Sequence, residues 1–455
     1  MRTSQRESMK QRGISVSASL AAALVPVVLA LTASGADQPT EASGTPLFQK
    51  PAWLSDLSLG VAGSYDDNLY GVSGRGPMAP QTSWVTTFSP KLGVNLAPVL
   101  GHPSTLQGLS VEYAPEVATY YNAPAESYAA HRVATSIQGQ TESVSFRFEN
   151  ALNVVEGSDQ GPIYSGDDKY RSVFGSMMAK ERRLQIQDRE KSSFEYDWDR
   201  CFVRPTASVL AFDMMTELRS ATGYQNYPSR YDANGGVDFG YRVSDGVAIT
   251  VGARYGHQYQ QMLPYAIDTT QKASSSDYER ALFGLEGKPW KCLTLALQGG
   301  PDFRSYAATA AVSDRNPTTW YGEAVAGAEL TPNDSLSLKC KAWQFVSFTG
   351  RVPCFDSNYE LCYRRKLTHA LTLDLAGRVA SLDFTSGSDP KGSNLRNDGL
   401  YTISPGLAYA ITPNLSANLA YSVQLARNLE NNPPGGAQYR DYDRDLVSCG
   451  VTYRF

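Results

Sequence analysis

The residues best suited to acid–base chemistry are few. Four histidines occur, His102, His131, His257 and His369. A hydrolase of lipid substrates would need one of them beside a serine and an orienting polar group. No local motif supplies that set, so all four read as solvated or interfacial side chains. The alternation Asp441, Asp443, Asp445 near the C-terminus could offer oxygen ligands to a divalent cation. Its flanking Arg440 and Arg444 favour a plain solvated strand extension instead. Six cysteines, Cys201, Cys292, Cys340, Cys354, Cys362 and Cys449, show no CxxC pair and no zinc spacing. They read as small apolar fillers. No catalytic set, metal site or cofactor is expected.

A larger group of charges falls on one parity of alternating segments: Arg147, Arg183, Arg189, Lys191, Arg204, Arg254, Lys339, Lys341, Arg364 and Arg378, with Glu149, Glu286, Glu360 and Asp374. Charges at strand centres need water or partners. On the inner wall of a channel they would set ion preference, and the basic excess in this set predicts a slight anion preference. The competing reading is mutual pairing across adjacent strands. Trp343 and Phe345 share this parity and could narrow the outer mouth; a bulge that turns them outward, into an aromatic girdle, is the favoured expectation.

The elements that must carry these charges are strands. Val447, Cys449, Val451, Tyr453 and Phe455 alternate with Ser448, Gly450, Thr452 and Arg454. Leu415, Ala417, Leu419, Tyr421, Val423 and Leu425 alternate with polar neighbours in the same way. Such segments begin near Leu57, Ser83, Leu109, Tyr128, Glu142, Lys180, Cys201, Arg230, Val247, Asp277, Leu293, Thr318, Asp334, Asp356, Leu371, Arg396, Leu415 and Tyr439. The pattern predicts an all-β, closed antiparallel up-and-down transmembrane β-barrel of about 18 strands, with 16 as the alternative. Connections alternate between short turns, such as 244–246 and 412–414, and long polar loops, such as 157–178, 262–276 and 427–438. The long loops are candidates for a constriction. Pro90, Pro115, Pro205, Pro301 and Pro405 fall inside segments and are expected to mark bulges or strand ends.

The N-terminus reads as a signal peptide over residues 1–36: a basic start, an apolar run from Leu20 to Leu31, and Ser34-Gly35-Ala36. A polar periplasmic lead, 37–56, and the barrel, 57–455, follow. The formal charge of −4 falls to roughly −7 without the signal. No basic tract points to nucleic acid.

Three stretches also resemble a known group. Tyr65-Asp66-Asp67-Asn68-Leu69-Tyr70 resembles the entry strand of outer-membrane proteins of the beta-barrel porin 2 type. The stretch from Glu181 to Arg189, followed by Phe202-Val203-Arg204-Pro205, is similar to a central hairpin of related barrels. Tyr453-Arg454-Phe455 resembles the signal read by the barrel-assembly machinery. The resemblance implies a porin-like barrel without catalytic residues. The expected function is passive diffusion of small polar solutes across a Gram-negative outer membrane. The alternatives are a non-conducting scaffold or export component for a surface polymer, and a lipid hydrolase. Expected partners are outer-membrane lipid and lipopolysaccharide, the assembly machinery, small polar solutes and further copies of the chain in a homo-oligomer.

Overall fold

The computed structural model of the chain describes residues 51–455 except 72–78, 101–104, 157–183, 216–227, 263–272, 311, 347–352, 385–396 and 430–440. Residues 1–36, expected as a signal peptide, and most of the expected lead, 37–56, lie outside the described residues. The strands are β1 (Leu54–Asp66), β2 (Ser83–Asn95), β3 (Leu106–Tyr113), β4 (Glu116–Tyr120), β5 (Tyr128–Gln140), β6 (Val144–Glu156), β7 (Leu184–Trp198), β8 (Cys201–Asp213), β9 (Arg230–Ser244) and β10 (Val247–Gln260). They continue as β11 (Ser276–Trp290), β12 (Leu293–Tyr306), β13 (Thr318–Thr331), β14 (Asp334–Phe345), β15 (Cys354–Lys366), β16 (Leu371–Asp383), β17 (Asn397–Ala410), β18 (Leu415–Asn428) and β19 (Tyr442–Arg454).

Apart from β3 and β4, each strand pairs antiparallel with its neighbours in sequence, and β19 pairs with β1 from Ser58↔Arg454 to Asp66↔Leu446. The sheet therefore closes on itself. β3 and β4 both lie between β2 and β5 and are one strand interrupted at Ala114-Pro115, so the barrel has 18 strand positions. Closure leaves no unpaired edge, which is what a sheet in lipid requires.

Proline behaves differently from expectation at four places: Pro90 lies inside β2 with its register to β1 unbroken, at Leu59↔Pro90, and three others interrupt only a ladder. At Pro205, Pro301 and Pro405 the ladder to one neighbour skips, yet the register on either side is unchanged. The missing donor costs hydrogen bonds at that point without inserting a residue. Only Pro115 interrupts its strand.

Threonine recurs where the chain reverses tightly. The hydroxyl of Thr412 accepts from the N–H groups of Asn414 and Leu415, and that of Thr368 from those of Ala370 and Leu371. Thr141 does the same for Val144. These side chains replace ladder partners that the turn removes.

The parity is uniform around the ring. Val61, Val251, Phe283, Ile403, Leu419 and Val451 are exposed on the outside, whereas Ala248, Leu282, Thr402, Ala420 and Ser448 are buried on the inside. A continuous apolar outer face of this extent is foreign to soluble proteins but suits a bilayer.

Candidate functional site

The lumen is lined by the inward parity of every strand. Arg147, Glu149, Arg204, Arg254, Lys339, Lys341, Glu360, Arg364, Asp374 and Arg378 lie on that parity. Arg183 lies outside the described residues. Most are paired. Arg147 Nη2 is 2.6 Å from Glu149 Oε1, and Arg364 Nε is 2.7 Å from Asp374 Oδ1. Arg254 pairs with Asp238 at 2.8 Å, and Arg204 bridges Glu195, at 2.6 Å, and Glu286. Arg378 donates to Asn358 Oδ1 at 3.1 Å. Lys341 stands 3.6 Å from the centre of the Trp343 ring. Glu360 faces Lys339 on one side and Arg378 on the other in the ladder.

The basic excess counted from the sequence is offset here. Asp66, Glu195, Asp197, Asp238, Asp302 and Glu323 also face inward, each against a cation. The signal for them was present in the parity, but only the ring brings, for example, Glu195 within 3.0 Å of Arg242 from β9.

The inner wall is wet at one end and filled at the other. Near the short turns, the side chains of Arg147 and Arg364 are 63% and 44% exposed, and that of Lys191, in the middle of β7, is 54% exposed. Toward the long loops, Asp302, Arg304, Gln258, Tyr278 and Asn358 are buried. Along β12 the inward residues pass from exposed Thr294 and Ala296 to fully buried Asp302.

The filled end is a polar network around an inward strand tip. The β13–β14 ladder stops at Gly322↔Ala342, while β14 stays paired with β15 as far as Phe345↔Cys354. Beyond Ala342 the end of β14 leaves β13. The Gln344 carbonyl accepts from Arg304 Nη2 at 2.8 Å and Gln258 Nε2 at 3.1 Å, and the Val346 carbonyl from Arg230 Nη1 at 3.0 Å. Donors on β9, β10 and β12 thus hold the tip against the inner wall. Arg304 and Arg280 share Asp302, and Arg280 lies 3.9 Å over the Tyr278 ring and 4.3 Å over Tyr321. Tyr278 donates to Asp232 at 3.0 Å.

Trp343 and Phe345 sit at this tip, stacked at 4.3 Å and 1% exposed. The outward girdle placement expected for them is therefore corrected. No bulge interrupts the β14–β15 register, so parity keeps both rings inside. The loops 157–178, 262–276 and 427–438, expected to narrow the lumen, fall largely outside the described residues.

Close approach also shapes the wet end. Phe202 lies on Gly240, where an added Cβ would meet its ring at 1.9 Å. Arg204 and Arg242 lie over the same ring, at 4.7 and 5.0 Å from its centre.

The remaining candidates have ordinary partners. His131 Nδ1 is 2.8 Å from the Tyr113 hydroxyl, and His257 Nδ1 is 2.8 Å from Asp277. His102 lies outside the described residues. Asp441 accepts from the Asn428 N–H, Asp443 pairs with Arg427, and Asp445 accepts from the Tyr421 hydroxyl. Among the described residues no group of His, Cys, Asp and Glu is placed to hold a metal. All six cysteines are free thiols; Cys340 and Cys362 lie on opposite parities. Tyr453 and Phe455 face outward, exposed, with rings edge to face at 4.9 Å.

No family model matches the chain, and no curated protein matches it. The resemblance to the beta-barrel porin 2 type is therefore not carried by any family match. Among solved structures the chain is similar to the Pseudomonas aeruginosa outer membrane protein OpdK, at 14% identity over 88% of this chain and 99% of that one, with a TM-score of 0.39. It is also similar to P. aeruginosa OccK2 (OpdF), solved in complex with glucuronate, at 10% identity over 89% and 100%, with a TM-score of 0.40. Acinetobacter baumannii OccAB2 shows 11% identity over 88% and 98%, with a TM-score of 0.40.

Proposed function

We propose that the barrel spans a bacterial outer membrane and passes small polar solutes by diffusion through its lumen. One observation carries this reading: charged side chains face inward, are exposed to the lumen from the short turns to mid-strand, and are enclosed by a ring whose outer face is apolar. Lipid outside and water inside is the arrangement that satisfies both faces. The filled half, with the β14 tip inside it, supports steric selection at the long-loop end. Arg147, Glu149, Arg204, Arg254, Lys339, Lys341, Glu360, Arg364, Asp374 and Arg378 serve as lining groups in this reading. Outer-membrane lipid and lipopolysaccharide contact the apolar band. Tyr453 and Phe455 present the terminal strand to the assembly machinery. The signal peptide of residues 1–36 directs export, and a homo-oligomer is compatible with the exposed outer wall.

Liposome swelling tests the reading. Refolded barrels should admit neutral polar solutes of graded size, with a cut-off; no entry of even the smallest solute contradicts it. The reversal potential in a salt gradient tests the slight anion preference, which the inward acids weaken. A second reading, a non-conducting scaffold or export component, is favoured by the buried Arg230–Arg280–Arg304 crowd. Barrels that are folded but impermeable would support it.

A further inference from the structure

The lumen is bridged at mid-height by a charge pair from opposite walls. Lys191 Nζ on β7 lies 3.4 Å from Glu323 Oε1 on β13. The two strands are six positions apart in the ring. A round barrel of 18 strands would be about 36 Å across between backbones, and six positions would subtend a chord of about 31 Å. A stretched lysine and glutamate in contact span only roughly 15 Å between Cα atoms. The ring is therefore pinched, with β7 and β13 drawn to about half their round-barrel separation. Arg204 on β8 reaches Glu286 on β11 in the same direction.

The outer surface agrees, independently of any charge. A depression of about 540 Å³ lies over the lipid side of β11–β14, lined by Phe283, Gly299, Gly322, Ala324, Cys340 and Ala342. Gly299 and Gly322 are ladder partners. Small outward side chains leave this part of the wall thin, with room to be drawn inward.

The two ends of the bridge are not equivalent. Glu323 is also held by its own wall, accepting from the Tyr321 hydroxyl at 2.6 Å and from Gln298 Nε2 at 3.3 Å. Lys191 has half its side chain in water. Its flexible ammonium is the end that can let go.

We propose that Lys191 and Glu323 form a strut that divides the lumen into two lobes and sets the bore, making them size-determining residues for permeation. The strut rests on the channel reading above. Because one end is hydrated, salt loosens it, which couples the bore to ionic strength.

The test combines Lys191→Met, Glu323→Gln, both together, and the exchange of Lys191→Glu with Glu323→Lys. Unit conductance in planar bilayers should rise at least twofold in each single variant at low salt. The gain should shrink toward about 1 M salt, where screening acts within roughly 3 Å. The exchanged pair should return to the parent value. Thermal melting of the same four forms gives a readout that needs no current. The shifts should be non-additive for a contacting pair, whereas sites a full chord apart would add. Additive shifts, or single variants that conduct like the parent, overturn the strut while leaving the channel. Coupled melting with no current from any form overturns the channel reading, and the bore-setting role with it.

Discussion

Arg444 and Asp66, 378 residues apart in sequence, meet in a buried two-pronged pair at the seam of the barrel. Arg444 Nε donates to Asp66 Oδ1 at 3.0 Å and Nη2 to Oδ2 at 2.5 Å. The β1–β19 ladder ends at Asp66, and the next residues continue the join by other means. Asp67 Oδ1 accepts from the Asp445 N–H at 2.7 Å, and Asn68 Nδ2 donates to the Asp443 carbonyl at 2.8 Å. The segment Asp66–Asn68 is thus a clasp that ties the first strand to the last.

Removing one partner of that pair leaves a buried charge. Asp66→Asn should destabilise the barrel by roughly 3 kcal/mol, while Asp66→Asn with Arg444→Met together should cost less than Arg444 left alone. Thermal melting in detergent, followed by circular dichroism, checks the order. Equal cost for single and double variants would show that the pair does not act as a unit.

Neighbouring residues on β18 should respond unequally to the same change. Leu419→Arg places a cation in lipid and should cost roughly 2–4 kcal/mol in bilayers. Asn418→Arg points to the lumen and should cost less than about 1 kcal/mol. Folding titrations in lipid vesicles measure both.

The β14 tip should loosen when its strongest donor is removed. Arg304→Met deletes the bonds to Gln258, Asp302 and the Gln344 carbonyl. The expected loss is roughly 3 kcal/mol, because Asp302 keeps only Arg280. Trp343 emission, isolated as the difference from a Trp343→Phe parent, should shift to the red as water enters. An unshifted spectrum would mean that the tip is held without Arg304.

Phe455 lies at the exposed end of the chain, its N–H bonded to the Leu57 carbonyl at 2.9 Å. Phe455→Ala should leave melting within about 0.5 kcal/mol of the parent. If the terminal ring is an assembly signal, insertion by the assembly machinery should slow markedly. Unchanged insertion would remove that role.

The closed barrel and its strands were legible in the residues. Ser83, Tyr128, Cys201, Arg230, Val247, Leu293, Thr318, Asp334, Leu371 and Leu415 open strands where the alternation begins. Period two is a local property, and a buried face cannot slip by one residue without exposing it. What depends on the closed ring was not legible. In sequence, Asp66 belongs to an entry-strand motif and Arg444 to a solvated flank. Beyond its parity, Glu323 carries no sequence signal of its own, because its partner lies across the lumen. Trp343 and Phe345 had the correct parity but were assigned to the girdle, since aromatic residues usually go there. Only the departure of β14 from β13 explains how two such rings are buried inside.

The most direct test of the wet interior is a nitroxide scan along residues 416–425 of β18 in lipid bilayers. Oxygen, which partitions into lipid, should collide with the label at Ala417, Leu419, Tyr421 and Val423. A water-soluble nickel chelate should collide with it at Ser416 and Asn418, near the hydrated end of the lumen. Oxygen access without period two, or an inner face closed to the chelate at both Ser416 and Asn418, would contradict a water-filled barrel.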